Sequence, residues 1–358
     1  MKRATILEVN TKKFLNNIKK IQEYVGSKEL MPVIKANGYG TNINKKLSVI
    51  NHFNIVAVAM VEEAIFLREL GFEKEIFVLN QPAVEEIEDI HKYNLIVGVS
   101  EKTFLENINI PIRVHLEIET GMNRTGIQLS NLKEYIELIK DNKCIQVEGT
   151  YTHLSSADFD EEYTKKQLDT FKEAVSILKE HFDLKYIHSS ASNGLLNYDD
   201  GVSNLVRPGI IMYGYESYEG VKKQINIEPI AKLITHITYL KEIEPNEAVS
   251  YSQKFKSTKK MKVATIPIGY ADGYRRELTN IGEVVVKGKK CKILGSVCMD
   301  SCMIDVTDLD VKVGDEVFIF DNELVTLEDI AEKCRTINYE ILSTISYRVP
   351  RIFVEEDS

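Results

Sequence analysis

The 358-residue sequence predicts an α/β fold, in which an N-terminal (β/α)8 TIM-type barrel is followed by a mainly β domain. Short apolar, β-branched runs recur through the first two thirds of the chain, and most are separated by a turn or by a segment with helical spacing. There are eight such runs, which is the number of parallel strands that closes a barrel. After about residue 230, strand-like runs follow one another between Gly, Pro, Asn and Asp turns, which predicts the second domain.

The eight predicted barrel strands are, in chain order, MPVIKA, NIVAVAM, EIFVLN, NLIVGVS, IRVHLEIE, VEGTYTH, YIHSSAS and NLVRPGIIMY. The clearest helix lies between the sixth and seventh strands, where apolar residues in steps of three and four mark one face. These residues are Leu168, Phe171, Val175, Leu178 and Phe182. A doubly wound open sheet has similar periodicity, so the strand count favours the barrel and leaves the open sheet as the alternative.

The predicted second domain contains strand-like runs such as KMKVATIPIGY and DEVFIF, with a single helical stretch near TLEDIAEKC. We place the barrel at residues 8–230 and the mainly β domain at residues 231–358. Residues 1–7 are a candidate addition to the second domain.

Composition excludes several classes of protein. The 44% hydrophobic and 28% charged content is that of a globular protein, and no apolar run has the roughly 18 residues of a membrane span. A net charge of -9 argues against a general nucleic-acid binder. The N-terminal residues have no apolar signal region, and the five cysteines are an odd number at scattered spacings, which favours reduced thiols and a cytoplasmic protein.

Polar residues collect at the carboxyl ends of the predicted strands, where the catalytic groups of such barrels lie. They are Lys35, Arg124, His153, Ser192 and Arg207. An ordinary lysine extends from a strand end to solvent, whereas a desolvated lysine with a lowered pKa is suited to covalent catalysis on a carbonyl. Tyr39, Ser192 and the backbone amides around Gly209 are candidates for binding a phosphate, although packing and turn capping also explain them.

The sequence also carries eight motifs that together resemble bacterial alanine racemases, pyridoxal 5'-phosphate enzymes with a barrel and a β domain. They occur in the family's order, cover nearly the whole chain, and read VIKANGYG, ETGMNRTGI, YTHLSSAD, NLVRPGIIMYG, VSYSQKF, IPIGYADGYRR, GSVCMDSCMIDVT and ISYRVPRIF. The resemblance implies that Lys35 holds the cofactor and is one of two catalytic bases. It implies that Tyr270 is the other base and reaches the active site of the partner subunit in a head-to-tail homodimer.

Two bases suit the reaction, because racemisation removes the α-proton from one face of an amino acid and returns a proton to the other face. The resemblance further implies cofactor-binding roles for Tyr39, His153, Ser192, Arg207, Gly209, Ile210 and Tyr347. Arg207 would face the ring nitrogen and, being always protonated, would make the ring a weaker electron sink. Substrate-binding roles are implied for Arg124, Met299 and Asp300. Cys298 and Cys302 lack two further ligands at suitable spacing, so no metal site is predicted.

Three residues depart from the family pattern. Glu117 stands where many members have a lysine, often carbamylated, that positions the arginine corresponding to Arg124, and we predict a Glu117–Arg124 ion pair. Ala191 stands where asparagine is expected, with Asn193 as a candidate substitute. Ser296 replaces an arginine common at the entrance, which predicts a less cationic approach to the site.

The leading function is therefore interconversion of L- and D-alanine, supplying D-alanine for the peptidoglycan of a bacterial cell wall. The alternative is racemisation of serine or of several small amino acids by the same two bases. A barrel decarboxylase that uses the same cofactor usually has a cysteine and acidic motif in place of IPIGYADGY. A non-enzymatic cofactor carrier normally lacks the β domain that residues 231–350 predict.

Overall fold

The computed structural model describes residues 4–217 and 221–355. These residues form two compact units. The barrel unit contains residues 15–38 and 43–228. The β unit contains the N-terminal segment up to Phe14, residues 39–42 and the chain from Pro229 onward.

The barrel unit has eight parallel strands in the order that the sequence predicts. They are Glu29–Leu30, Ile55–Val58, Glu75–Val78, Ile96–Val99, Ile112–Glu119, Ile145–Tyr151, Tyr186–His188 and Leu205–Val206, with a short strand Ile127–Gln128 beside the fifth. Nearly every residue of the second, third and fourth strands is buried, as expected where helices cover the outside and side chains fill the inside.

Backbone hydrogen bonds beyond the regular strands close the barrel. Between the first and second strands, the Ala57 amide donates to the Pro32 carbonyl at 2.8 Å. Between the seventh and eighth, the Arg207 amide donates to the Ser190 carbonyl at 2.9 Å. The eighth strand pairs in parallel with the first. The predicted barrel is therefore confirmed, and the open sheet is excluded.

Helices follow most of the barrel strands. They are Leu47–Ile50, Val61–Glu69, Ile87–Lys92, Lys102–Glu106, Leu132–Asp141, Glu161–Lys179, Ser192–Asn197 and Val221–Gln224, with 3-10 turns at Ile43–Lys45, Val84–Glu86, Leu129–Asn131 and Ile210–Tyr213. A further helix, Thr11–Val25, precedes the first barrel strand. The helix Glu161–Lys179 buries the predicted apolar face, except that Phe182 lies beyond its last residue.

The β unit is built from one large sheet and smaller ones. The six-stranded sheet has the spatial order Lys289–Lys292, Glu283–Val286, Glu316–Phe320, Ala231–His236, Ile6–Asn10 and Arg351–Val354. A three-stranded sheet contains Tyr239–Ile243, Met261–Ile266 and Cys302–Asp305, and a small pair contains Ala248–Val249 and Phe255–Lys256. The strand Ile6–Asn10 thus pairs within the β unit, and residue 8 lies inside it.

Helices of the β unit lie near the C-terminus. Leu327–Lys333 is the predicted helix, and its N-cap Thr326 accepts a hydrogen bond from the Asp329 amide at 3.0 Å. The prediction of a single helical stretch is wrong, because Asn338–Ser343 forms a second helix. That helix has only six residues, too few for a periodic apolar pattern to show. Short 3-10 turns occur at Tyr251–Gln253, Tyr270–Asp272 and Arg276–Leu278.

Within the two described ranges, none of the helices has both the length and the apolar character that crossing a bilayer requires.

Candidate active site

Lys35 lies just past the end of the first barrel strand. It follows Val33, which forms a parallel bridge with the second strand. Burial lowers the pKa of the Lys35 amine, and the positive charges of Arg124 and Arg207 lower it further. The carboxylate of Glu63 acts in the opposite direction and raises this pKa. The amine is therefore easier to deprotonate than that of an exposed lysine, as a nucleophile or base requires.

Arg207 follows the eighth strand and is completely buried in the barrel. Its Nη1 donates to the carbonyl and the Nδ1 of His188, at 2.8 and 2.6 Å. Its Nη2 donates to the carbonyls of Thr152 and Ser189, at 2.7 and 3.1 Å, and lies 3.4 Å from Nδ1 of His153. Burial lowers the pKa of Arg207 to about 10, so the guanidinium remains charged at neutral pH although each of these acceptors is uncharged.

Two histidines extend this hydrogen-bond chain into the barrel. Nε2 of His188 lies 2.9 Å from Nδ1 of His115. Because Arg207 donates to Nδ1 of His188, a neutral His188 carries its proton on Nε2 and donates it to His115. Neutral His115 then carries its own proton on Nε2, a buried atom without a hydrogen-bond partner among the described residues. Every donor in this chain therefore points away from the arginine.

Two histidines of the barrel, the buried His115 and the partly exposed His153, make folding stability depend on pH. Burial, reinforced by positive charges that include Arg207, lowers the pKa of His115 and of His153 to about 3. The unfolded chain binds protons at these residues near pH 6.5, whereas the folded chain does not, so stability is lost as pH falls below about 6.5. As the pH falls from about 7.5 to about 5, we expect protonation of each histidine in the unfolded chain to lower the unfolding free energy by about 2 kcal/mol.

Urea unfolding of the wild-type protein and of His115→Phe at the two pH values checks this expectation. The loss of stability should be smaller in the variant, by about 2 kcal/mol. An equal loss in both proteins would show that His115 is protonated as readily in the folded state as in the unfolded state.

Glu117 and Tyr151 are cross-strand neighbours on the fifth and sixth strands, and both are buried. Burial raises the pKa of Glu117, although hydrogen bonds with Thr125 and Tyr151 and the charge of Arg124 act against this rise. The Tyr151 hydroxyl also donates to the carbonyl of Leu79 at 3.0 Å. Glu117 thus provides a buried carboxyl group close to the arginines of the site.

The predicted direct Glu117–Arg124 ion pair is wrong. Among the ion pairs of residues 4–217 and 221–355, none joins these two side chains within 4.0 Å. Arg124 lies in the loop after the fifth strand and is exposed to solvent. Its charge lowers the pKa of Glu117 without direct contact. The carboxyl group is instead hydrogen-bonded to Thr125 and Tyr151.

Ser192 and Gly209 come together in the segments that follow the seventh and eighth strands. The Gly209 amide donates to the Ser192 hydroxyl oxygen at 3.0 Å, and the 3-10 turn that begins at Ile210 follows directly. Ser192 is the first residue of a helix rather than the end of a strand. Ala191 precedes it without a side-chain cap, and the buried Oδ1 of Asn193 has no hydrogen-bond partner in the part of the chain that the structure describes.

Tyr270 lies in the β unit, on a loop that is held by backbone hydrogen bonds. Its amide donates to the Cys298 carbonyl, and the Ala271 amide donates to the Met299 carbonyl, both at 3.0 Å. The side chains of Tyr270 and Met299 are 43% and 52% exposed. Two large apolar side chains are therefore displayed beside each other at the surface of the β unit.

An arginine links this loop to the C-terminal segment. Arg348 donates from Nη2 to Oδ1 of Asp300 at 2.6 Å, and its Nε lies 3.6 Å from Oδ1 of the buried Asp272. Its neighbour Tyr347 is 94% exposed. Tyr270, Met299, Asp300 and Tyr347 thus lie in one region of the β unit. Tyr39, the remaining predicted residue, is buried in the β unit.

Ser296 lines a cavity of ≈ 630 Å³ in the β unit that is also lined by Tyr270 and Tyr251. Its side chain is buried, and its hydroxyl donates to the Tyr251 carbonyl at 3.1 Å. Arg275 and Arg276 also line this cavity. A short neutral side chain therefore stands at residue 296, while the two arginines are accompanied by Glu277 and by Glu340, which forms an ion pair with Arg275.

Gly269 allows the Tyr270 loop to lie against the loop of residues 298–301. A Cβ atom at this position would collide with the carbonyl oxygens of Cys298 and Met299. We expect Gly269→Ala to lower the unfolding free energy by about 1–3 kcal/mol, because the two backbones would have to separate. Gly288→Ala is a control in open space, where only the positive φ of 70° opposes a side chain. If thermal unfolding shows no greater loss of stability for Gly269→Ala than for Gly288→Ala, the close approach of the two backbones is not the reason for glycine at position 269.

The structure brings the predicted residues together in two groups, one in the barrel unit and one in the β unit. In the barrel unit, the charges of Arg124, Arg207 and Lys35 all lower the pKa of His153. The sequence did not reveal His115, His188, Tyr151 or Glu63. A signal was present for His115, which stands two residues before Glu117 and so shares its face of the fifth strand, and Tyr151 ends the sixth strand two residues before His153.

Comparison with known proteins agrees with this geometry. Family models match the chain as "Alanine racemase, N-terminal domain" over residues 9–217 and as "Alanine racemase, C-terminal domain" over residues 230–353. Alanine racemase from Halothermothrix orenii is 38% identical, covering 98% of this chain and 96% of the relative. The corresponding values for alanine racemase from Methanococcus maripaludis are 36%, 97% and 98%.

Solved structures are also similar over nearly the whole chain. Alanine racemase from Clostridium difficile 630 has a TM-score of 0.93 at 34% identity, covering 99% of this chain and 96% of that one. The crystal structure from Bacillus anthracis with bound L-Ala-P has a TM-score of 0.92 at 31% identity, with coverage of 99% and 96%. With both domains matched and the charged barrel site in place, the chain belongs to the alanine racemase family.

Proposed function

We propose that this protein interconverts L- and D-alanine with pyridoxal 5'-phosphate as its cofactor. The observation that carries the proposal is the lysine amine of lowered pKa that lies near Arg124, Arg207 and His153 at the carboxyl end of the barrel. The relatives at 33–38% identity that are named alanine racemase support alanine as the substrate.

The residues of the barrel fit this cofactor. Lys35 offers an amine to its aldehyde, and Arg207 offers a buried guanidinium to its ring. Ser192, Gly209 and Ile210 are assigned to its phosphate, because the hydrogen bond from the Gly209 amide to the Ser192 oxygen holds them together after the last two strands, where such barrels often bind phosphate. Tyr39 and Tyr347 are assigned to the same phosphate, and His153 to the ring. When bound, the cofactor withdraws electrons from the α-carbon and so acidifies its proton.

The side chains of the protein then divide the work of proton transfer. Lys35 removes or returns the α-proton on one face of the substrate, and the partner subunit's Tyr270 does so on the other face. Arg124 binds the substrate carboxylate, and the segment that contains Met299 and Asp300 contributes to the same carboxylate site. Arg207 remains protonated at neutral pH because burial lowers its pKa only to about 10, and its positive charge would disfavour a proton on the ring nitrogen of a bound cofactor.

A homodimer with shared active sites follows from this assignment. The barrel unit would hold the cofactor, and the β unit would provide Tyr270 to the partner. The exposed side chains of Tyr270, Met299 and Tyr347 support the proposal, since neighbouring large apolar side chains at a surface are typical of an interface. The five free cysteines fit a reducing compartment, and we assign the enzyme to the cytoplasm and its D-alanine to peptidoglycan synthesis.

Chiral chromatography tests the substrate. The purified, cofactor-loaded protein is incubated separately with L-alanine, L-serine and L-lysine, and the D-isomers are quantified. D-Alanine should form fastest. If D-serine forms faster, the second candidate function is correct, namely a serine or broad-specificity racemase, which the neutral Ser296 at the cavity favours. Absence of every D-isomer would contradict racemisation itself.

A further inference from the structure

The chain turns in an unusual way immediately after Lys35. Ala36, Asn37 and Gly38 all have left-handed backbone angles, with φ of 52°, 53° and 61° and ψ of 52°, 45° and 51°. Such angles cost residues with a Cβ roughly 1–2 kcal/mol each, so consecutive left-handed residues persist only where surrounding contacts hold them.

Glu63 provides such contacts. It is the third residue of the helix Val61–Glu69 that follows the second barrel strand. One carboxylate oxygen, Oε1, accepts the Ala36 amide at 2.6 Å, and the other, Oε2, accepts the Ala59 amide at 2.7 Å. A carboxylate in the first turn of a helix is favoured by the helix dipole, and charged acceptors form the stronger hydrogen bonds.

The bound amide is the one that directly follows Lys35. Holding it fixes the peptide plane on the carboxyl side of Lys35, and with it the direction in which the lysine side chain leaves the backbone. On the other side of Lys35, the Ile34 amide donates to the Ala57 carbonyl at 2.9 Å. The lysine backbone is thus held from both sides by the end of the second strand.

We propose that Glu63 is the positioning residue of Lys35: its carboxylate clamps the left-handed turn to the second barrel strand and so fixes the aim of the amine. This inference rests on the proposed function, in which Lys35 is the cofactor lysine. The charge of Glu63 also contributes. Arg124 and Arg207 lower the pKa of the Lys35 amine, and only the Glu63 carboxylate raises it.

The first test uses the cofactor-free protein. Trinitrobenzenesulfonate labels unprotonated amines, and peptide mass spectrometry of Lys35 across a pH series gives its apparent pKa. In Glu63→Gln the apparent pKa should fall below the wild-type value, because the counter-charge is lost. Glu62→Gln removes the same charge from the exposed neighbouring residue and should leave the profile unchanged. A wild-type profile in Glu63→Gln would overturn the role of the charge.

The second test separates position from charge. Glu63→Asp keeps the negative charge but is one methylene shorter, so it cannot reach both amides. Its Lys35 pKa should stay near that of the wild type, while the visible absorbance that develops on adding pyridoxal 5'-phosphate should appear about 10- to 100-fold more slowly. Equal rates in the wild type and in both Glu63 variants would overturn the clamp.

Failure of the clamp and failure of the proposed function give different results. If the wild type neither gains visible absorbance nor racemises alanine, the proposed function fails. The labelling profiles, which need no cofactor, still decide whether Glu63 acts on Lys35. Far-ultraviolet circular dichroism confirms that each variant is folded, and Glu63→Asp is informative even where Glu63→Gln is less stable.

Discussion

Lys35→Ala is expected to lower the rate of alanine racemisation by at least about 10⁴-fold, because the proposed function makes this side chain both the cofactor's attachment point and one of the two bases. The loss should appear in kcat, since in this proposal the amine acts on the reacting atoms. Thermal stability should change little, because the lysine lies at a strand end and not in the apolar core. Steady-state assays in both directions, from L- and from D-alanine, measure the effect.

Two controls make the result specific. Lys133→Ala removes an exposed lysine from a helix of the same unit and should leave the rate unchanged. Added methylamine should restore part of the activity of Lys35→Ala, because it supplies a free amine to the space that the side chain vacates. Lys35→Ala protein with more than a few per cent of wild-type activity would contradict the assignment of Lys35.

Arg207→Met is expected to cause the largest loss of stability. The substitution keeps an apolar stem but leaves His188 and the carbonyls of Thr152 and Ser189 buried without their donor. We expect a loss of at least about 3 kcal/mol, since each unsatisfied buried group costs about 1–3 kcal/mol. For a protein of 358 residues, the thermal unfolding midpoint should fall by at least about 4 °C.

Differential scanning calorimetry of the cofactor-free protein measures this loss. Arg207→Lys should also be destabilised, because a single ammonium group cannot replace a planar fork that donates in several fixed directions. Arg335→Met, at an exposed arginine, should unfold within about 1 °C of the wild type. An unchanged midpoint for Arg207→Met would mean that the buried network does not depend on the guanidinium.

Much of the fold could be predicted from the sequence, because buried parallel strands are continuous apolar runs and their carboxyl ends share one face of the barrel. The helix Asn338–Ser343 could not, since it is shorter than two turns and its apolar side chains form no repeating pattern. The pairing of Ile6–Asn10 with Ala231–His236 is likewise a contact between distant segments that local periodicity does not encode.

The candidate site could likewise be predicted from the sequence only in part. Lys35, His153 and Arg207 stand at strand ends and could be identified there. The partner of Glu117 was predicted wrongly, because the sequence does not show that Arg124 turns to solvent while Tyr151 lies on the neighbouring strand. Glu63 resembles any acidic residue in the first turn of a helix. Its role depends on a hydrogen bond to Ala36, 27 residues away along the chain.

The two-base mechanism is tested most directly by the fate of the α-hydrogen. L-Alanine is incubated with the cofactor-loaded wild-type protein in deuterium oxide, and both isomers are separated and analysed by mass spectrometry at low conversion. If Lys35 and the partner subunit's Tyr270 act on opposite faces, one removing the proton and the other returning another, newly formed D-alanine carries solvent deuterium while the remaining L-alanine is largely unlabelled. D-Alanine that keeps its original hydrogen would contradict two bases on opposite faces of the substrate.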